Sequence, residues 1–141
     1  MGKKLTALPK NVSVETMNKA IKEFVKIVGA DNVLIGDEEM VPYKKIMMAV
    51  PIEEHMPALA IQASTKEEVI AIVKVCNKYV IPLWTFSTGK NMGYGTAAPA
   101  QRGTVILDLH KMNKIIEVNP DLCYAVLEPG VTYQQLFDYI H

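Results

Sequence analysis

A glycine-rich segment is the part of the sequence whose residue types are best suited to chemistry. It reads Ser87-Thr88-Gly89-Lys90-Asn91-Met92-Gly93-Tyr94-Gly95-Thr96 and follows an apolar stretch. Because glycine has no Cβ, backbone N–H groups in such a loop can approach anionic oxygens closely, and hydroxyl and amide side chains add further donors. The composition therefore predicts a cradle for a phosphate or pyrophosphate group.

Two nucleotide-binding motifs and a loop without ligand compete for the same residues. A P-loop fits poorly, because Trp84 stands where that motif needs its first glycine and Asn91 where it needs Ser or Thr. Residues 93–98 match the G-x-G-x-x-A form of the Rossmann pattern, but Pro99 follows at once and leaves no helix start to hold a phosphate. A tight surface loop without ligand stays open on composition alone.

A strand-helix-strand unit precedes the glycine segment. Residues 58–63 and 81–86 predict strands, and a capping box of Thr65 and Glu68 begins a helix that runs to about Tyr79. The unit is expected to cross over right-handed into a parallel pair of strands. The inward face of the helix is predicted to consist of Val69, Ile72, Val73 and Cys76.

A strand, a hairpin and a helix are predicted after the segment. Residues 104–109 form the strand, in which Asp108 is interpreted as a strand-end residue that bonds nearby backbone and has no chemistry. Residues 114–118 and 122–127 flank a turn and form the hairpin. A second capping box, Thr132 with Gln135, begins the last helix.

The N-terminal part of the sequence is predicted to form one helix, followed by irregular chain. Ser13 can cap an amphipathic helix that ends before Gly29, and residues 31–57 show no regular pattern and read as chain wrapped over another part of the molecule.

Composition excludes several classes of protein. Lys plus Arg and Asp plus Glu are each 15, so the formal net charge is zero and binding of nucleic acid through bulk electrostatics is disfavoured. No apolar run is long enough for a membrane span, and no secretory signal is visible, so the cytoplasm is the default location. Cys76 and Cys123 are expected to be buried thiols, and no spacing supports a metal site or disulfide.

Several motifs in one order resemble the FAD-binding domain of the p-cresol methylhydroxylase and vanillyl-alcohol oxidase family. They are WTFSTGKNMGYGTAAP at 84–99, VILDL at 105–109, MNKI at 112–115 and EPGVTY at 128–133. The resemblance spans about residues 54–140 and implies an α+β fold in which two subdomains clasp FAD. On that basis, residues 1–53 are a lead-in, 54–110 the first subdomain, and 111–141 the start of a truncated second one.

The resemblance also implies which residues form the site. The FAD diphosphate would be lined by Ser87, Thr88, Gly89, Lys90, Asn91, Gly93 and Gly95, and a second cofactor contact would come from Pro129, Gly130 and Val131. Lys90 departs from the arginine common in the family, so a bidentate contact there would become a point-charge contact. Tyr94 would stabilise the phenol oxygen of the substrate as the catalytic residue, or merely pack the loop. His55 is either close to the flavin or a satisfied polar residue.

The implied reaction is oxidation of 4-alkylphenols or 4-hydroxybenzylic alcohols by hydride transfer to FAD, after which water adds to a quinone methide. Electrons would leave to a c-type cytochrome subunit or to oxygen, within a homo- or hetero-oligomer, and a cytochrome partner would favour the periplasm. The sequence is expected to be the N-terminal portion of such an enzyme. The alternative is a non-catalytic module that assembles with another chain.

Overall fold

The computed structural model describes residues 4–46, 49–89 and 96–141, and confirms the α+β class. The helices are α1 (Val14–Val28), α2 (Lys66–Tyr79) and α3 (Tyr133–Ile140). The strands are β1 (Val33–Leu34), β2 (Ala60–Gln62), β3 (Leu83–Phe86), β4 (Val105–Asp108), β5 (Ile115–Asn119) and β6 (Tyr124–Leu127). None of the helices in the described residues combines the length and apolar character needed to cross a membrane.

The first and last helices begin where their capping residues predict. The Ser13 hydroxyl accepts a hydrogen bond from the backbone N–H of Thr16 at 3.1 Å, which satisfies a free donor at the start of α1. Gly29 closes α1 with a φ of +84°, a backbone conformation that glycine adopts without strain. At α3, Thr132 and Gln135 form the complete capping box.

Helix α2 has the predicted bounds, but its capping box is only half formed. The Thr65 hydroxyl accepts from the Glu68 N–H at 3.2 Å, whereas the Glu68 carboxylate accepts from the N–H of Ser64 at 2.7 Å. The carboxylate therefore reaches one residue further back than the box requires.

The buried face of α2 also differs from the prediction. Ile72, Val75 and Cys76 are buried, Val69 is partly buried, and Val73 is 38% exposed, so its assignment to the inward face was wrong. The i, i+3, i+4 spacing of the buried residues defines one helix face, and Val73 lies about 100° away from Ile72 around the helix.

The four-stranded sheet has the order β1-β2-β4-β3. Strands β2 and β3 both run parallel to β4, and β1 is antiparallel to β2. The prediction that β2 and β3 pair directly was therefore wrong, because β4 lies between them. The two strands do run parallel to each other, as expected. The first three residues of β4 are at most 1% exposed, and an apolar run buried on both faces suits the centre of a sheet.

Different parts of the chain cover the two faces of this sheet. Helices α1 and α2 cover one face, where Phe24, Ile61 and Leu107 belong to the larger core. On the other face, Ile106 packs with Met40 and Ala97, which come from irregular chain. The irregular lead-in is thus a covering layer over the sheet, as its sequence predicts, and the division at residues 53 and 110 stays a prediction.

The hairpin of β5 and β6 is antiparallel, as predicted. Its turn positions Cys123 outside the strand, exposed and with a φ of +52°, so the prediction of a buried thiol was wrong for this residue. The Asn119 side chain accepts from the N–H of Leu122 at 2.9 Å, which extends the turn and delays the start of β6 to Tyr124. Cys76 is buried, as expected.

Candidate functional site

A cleft of about 570 Å³ lies at the carboxyl ends of the three parallel strands. The register aligns Gln62 of β2 and Phe86 of β3 with Asp108 of β4, so these three side chains form one row on one face of the sheet. The rest of the wall comes from the irregular chain at 42–45, from both ends of the glycine segment and from His110. Open sheets with parallel strands bind ligands at this edge.

Asp108 is the centre of a buried hydrogen-bond network in the cleft. Asp108 is only 4% exposed. The Tyr43 hydroxyl donates to Asp108 Oδ2 at 2.8 Å, and Gln62 Nε2 donates to the Tyr43 oxygen at 3.3 Å. Burial raises the pKa of Tyr43 well above its usual range, so this hydroxyl keeps its proton. The network thereby joins the Val41–Tyr43 turn to the end of β4.

His110 forms the other side of this network. Its backbone N–H donates to Asp108 Oδ1 at 3.0 Å, and its ring Nδ1 lies 2.8 Å from the same oxygen. The side chain of His110 is 43% exposed, in contrast to 5% for Asp108. A buried carboxylate therefore holds a half-exposed imidazole at the wall of the cleft.

The first part of the predicted diphosphate loop reaches the cleft. Thr88 and Gly89 line it, and Ser87, directly after β3, is half-buried. Gly89 has a φ of +67°, and a Cβ there would lie 3.3 Å from Ala97 Cβ and 3.5 Å from the Phe86 ring. Because the conformation and the close approach both favour glycine, the backbone at this point is shaped as the loop composition predicts.

The remaining loop residues lie outside the described residues. They are Lys90, Asn91, Gly93, Tyr94 and Gly95. Their predicted contacts with the diphosphate, and the predicted role of Tyr94 at the substrate oxygen, stay predictions.

The predicted second contact, Pro129–Val131, lies beside the end of β4. Pro129 is exposed, Val131 is half-buried and Gly130 is buried. The N–H of Gly130 donates to the carbonyl of Met112 at 2.7 Å. A Cβ on Gly130 would lie 2.6 Å from the His110 carbonyl oxygen, so only glycine fits at this contact. The structure thus brings this segment against a residue that lines the cleft.

His55 lies in a polar contact away from the cleft wall. Its Nδ1 is 2.8 Å from the carbonyl oxygen of Pro99, and nearby Arg102 donates to the carbonyl of Glu53 at 2.6 Å. These contacts agree with a satisfied polar residue that ties the Ile52–His55 turn to the loop before β4. A position close to a flavin stays a prediction.

Sequence reasoning missed most of the cleft network. Tyr43 lies in the stretch without a pattern, and neither Gln62 nor His110 belongs to a motif. Asp108 does bond nearby backbone, as predicted, but it also accepts from Tyr43, which is 65 residues away in sequence. One available signal was the acidic residue at the carboxyl end of an otherwise apolar strand. No group of three or more His, Cys, Asp or Glu in the described part of the chain is arranged to hold a metal ion.

Comparison with known proteins gives a family and close relatives. The family described as FAD binding domain matches residues 57–141. The 4-cresol dehydrogenase (hydroxylating) flavoprotein subunit of Pseudomonas putida is 55% identical over 133 residues, which is 94% of this chain and 26% of that protein. The chain thus spans about a quarter of the length of the curated relatives that it matches.

Solved structures share the fold. The crystal structure of p-cresol methylhydroxylase with substrate bound superposes with a TM-score of 0.92 at 54% identity, over 96% of this chain and 26% of the other. The isoeugenol complex of 4-ethylphenol oxidase from Gulosibacter chungangensis superposes with a TM-score of 0.89 at 38% identity, over 94% of this chain and 26% of the other. The predicted fold class and the resemblance on which it depended are both confirmed.

Proposed function

Because the chain belongs to the family of FAD binding domains, we propose that it is the FAD-binding part of an oxidoreductase acting on 4-alkylphenols or 4-hydroxybenzylic alcohols. FAD is the cofactor. The observation that carries the proposal is the near-complete match of the chain to p-cresol methylhydroxylase. The substrate class follows from that likeness and from the names of the relatives.

The proposal puts the diphosphate of FAD in the cleft at the strand ends. Thr88 and Gly89 line it, and the absence of a Cβ at Gly89 lets the backbone pass close to Ala97 and the Phe86 ring with a positive φ. The proposed donors continue through Lys90, Asn91, Gly93 and Gly95, with Ser87 at the start of the loop. Pro129, Gly130 and Val131 are proposed as a second contact with the cofactor, and Gly130 packs against the carbonyl oxygen of His110, which lines the cleft.

When bound, FAD supplies an acceptor for the hydride that leaves the benzylic carbon of the substrate. The proposed role of Tyr94 is to donate a hydrogen bond to the phenol oxygen and to stabilise the phenolate that forms when the substrate loses its hydroxyl proton, before the hydride leaves. Loss of hydride from the phenolate leaves a quinone methide, and water adds to its benzylic carbon. The proposal extends to a separate electron acceptor, a c-type cytochrome subunit or oxygen, since a close relative is named a flavoprotein subunit.

A second candidate is a non-catalytic module that assembles with another chain. The outer side of α3 favours it, because Tyr133, Phe137 and Ile140 are 95%, 53% and 53% exposed. Large exposed apolar patches mark interaction sites. This candidate requires no bound flavin, which separates it from the first.

The test is anaerobic flavin reduction in the protein expressed from its complete gene. We expect stoichiometric FAD whose absorption bleaches on addition of p-cresol. Tyr94→Phe is expected to slow bleaching at least about 100-fold while retaining FAD, the range seen when one oxyanion donor is removed. Tyr139→Phe is the matched control, since Tyr139 lies on α3 and is 63% exposed. A protein that binds no flavin would refute the first candidate, and bound flavin that no 4-alkylphenol reduces would refute the substrate class.

A further inference from the structure

The pair of Asp108 and His110 has no role in the proposed function so far. Asp108 is buried and accepts from the Tyr43 hydroxyl and the His110 N–H, with the His110 Nδ1 as its third neighbour. Both Asp108 oxygens already accept, Oδ2 from Tyr43 and Oδ1 from the His110 N–H, so we assign the proton between the two side chains to Nδ1.

The opposite ring nitrogen of His110 is the one available to a ligand. Nδ1 faces the buried carboxylate, the side chain is 43% exposed, and the residue lines the cleft. The Nε2 edge therefore faces the cleft. Pairing to Asp108 also restricts rotation of the ring, so that Nε2 is held in one direction.

One wall of the cleft offers a positive charge to an anion. Lys45 lies there beside the Val41–Tyr43 turn, whereas Asp108 and Glu39 are negative charges that act on Tyr43. Thr88 and Gly89, which begin the diphosphate loop, belong to the same wall. Because Nδ1 already carries the proton bonded to Asp108, donation from Nε2 to a diphosphate oxygen requires that the ring take up one further proton from solvent as the cofactor binds.

We propose that His110 is a cofactor-binding residue whose Nε2–H donates a hydrogen bond to the FAD diphosphate, and that Asp108 is the positioning residue that orients it. The inference rests on the proposed function, since it requires FAD in this cleft. It adds a side-chain donor from the far end of β4 to the backbone donors of the glycine loop. The diphosphate would then be held from both sides of the cleft.

The first test is FAD affinity in the protein expressed from its complete gene, after removal of the cofactor. His110→Phe keeps a planar ring without donors, and we expect about a 10-fold loss of affinity, the size of one charge-assisted hydrogen bond. His110→Gln keeps a neutral donor and is expected to lose less. His141→Phe is the matched control, because His141 is exposed and contacts the carbonyl of Phe137. Asp108→Asn is expected to weaken binding while His110 is still present.

A second readout separates direct contact from an effect on folding. The phosphorus-31 resonances of bound FAD are expected to shift in His110→Gln and to stay unchanged in His141→Phe. In the unsubstituted protein, the nitrogen-15 resonance of Nε2 is expected to move on addition of FAD and not of riboflavin, which has no phosphate. Unchanged phosphorus resonances, or equal nitrogen shifts with both probes, would overturn the inference. Failure of the unsubstituted protein to bind FAD would instead refute the proposed function.

Discussion

Replacing Gly130 with alanine tests how closely the Pro129–Val131 segment is held against the end of β4. The added Cβ would lie 2.6 Å from the His110 carbonyl oxygen and 2.7 Å from those of Leu109 and Met112. These are backbone atoms, so no side chain can rotate away, and the segment itself must shift. The φ of Gly130 is outside the positive range, so the cost comes from crowding alone.

The size of the effect follows from the contacts that the shift disturbs. Overpacking of this kind costs about 1–3 kcal/mol. The N–H of Gly130 donates to the Met112 carbonyl at 2.7 Å, and loss of that bond adds about 1 kcal/mol. Gly130→Ala is therefore expected to lower the free energy of unfolding by about 2–4 kcal/mol.

Urea unfolding followed by circular dichroism measures this change. The matched control is Gly29→Ala, where φ is +84° and nothing lies within 4 Å of the added Cβ, so that only backbone strain of about 1 kcal/mol is expected. FAD affinity should fall in Gly130→Ala and not in Gly29→Ala, because only the former displaces the carbonyl of His110. If the free energy of unfolding of Gly130→Ala lies within about 0.5 kcal/mol of the value for the unsubstituted chain, the crowding argument is refuted.

Other substitutions test the network, the caps and the thiols. Tyr43→Phe removes a donor to buried Asp108 and is expected to cost about 1–3 kcal/mol in urea unfolding; no change would show that Asp108 does not depend on it. Thr65→Ala removes the cap of α2 and should cost about 1 kcal/mol in the same assay, and a neutral result would contradict the capping role. Burial raises the pKa of Cys76 to about 12, so a thiol reagent at pH 8 should label exposed Cys123 and leave Cys76 unmodified until the chain unfolds. Rapid labelling of both in the folded chain would contradict the burial of Cys76.

Local signals in the sequence predicted the helices well. Ser13 and Thr132 each accept a hydrogen bond from a backbone N–H three residues later, and such contacts depend only on neighbouring residues. The hairpin turn at Asn119 is local in the same sense. Cys123 was misplaced because an apolar neighbourhood does not reveal that the turn continues through it.

Long-range features could not be predicted from local pattern. The insertion of β4 between β2 and β3 depends on pairing between segments far apart in the chain, which periodicity does not encode. The Tyr43 to Asp108 bond likewise needs the irregular chain to fold over the sheet. The glycine loop was identified because its composition is unusual. Gln62 and His110 are ordinary residues: the strand register aligns Gln62 with Asp108, and His110 reaches the cleft because it follows the end of β4.

The central position of β4 has a consequence for biosynthesis. Strands β2 and β3 pair with β4 and not with each other, so the parallel part of the sheet has no partner to form against until Asp108 has left the ribosome. Before that point, the antiparallel pairing of β1 with β2 can form, but β3 remains an unpaired edge. Unpaired strand edges are prone to aggregate, and domains are completed only as their last element is synthesised. A pause in synthesis between the glycine loop and β4 would therefore prolong the time for which β3 is exposed as an unpaired strand.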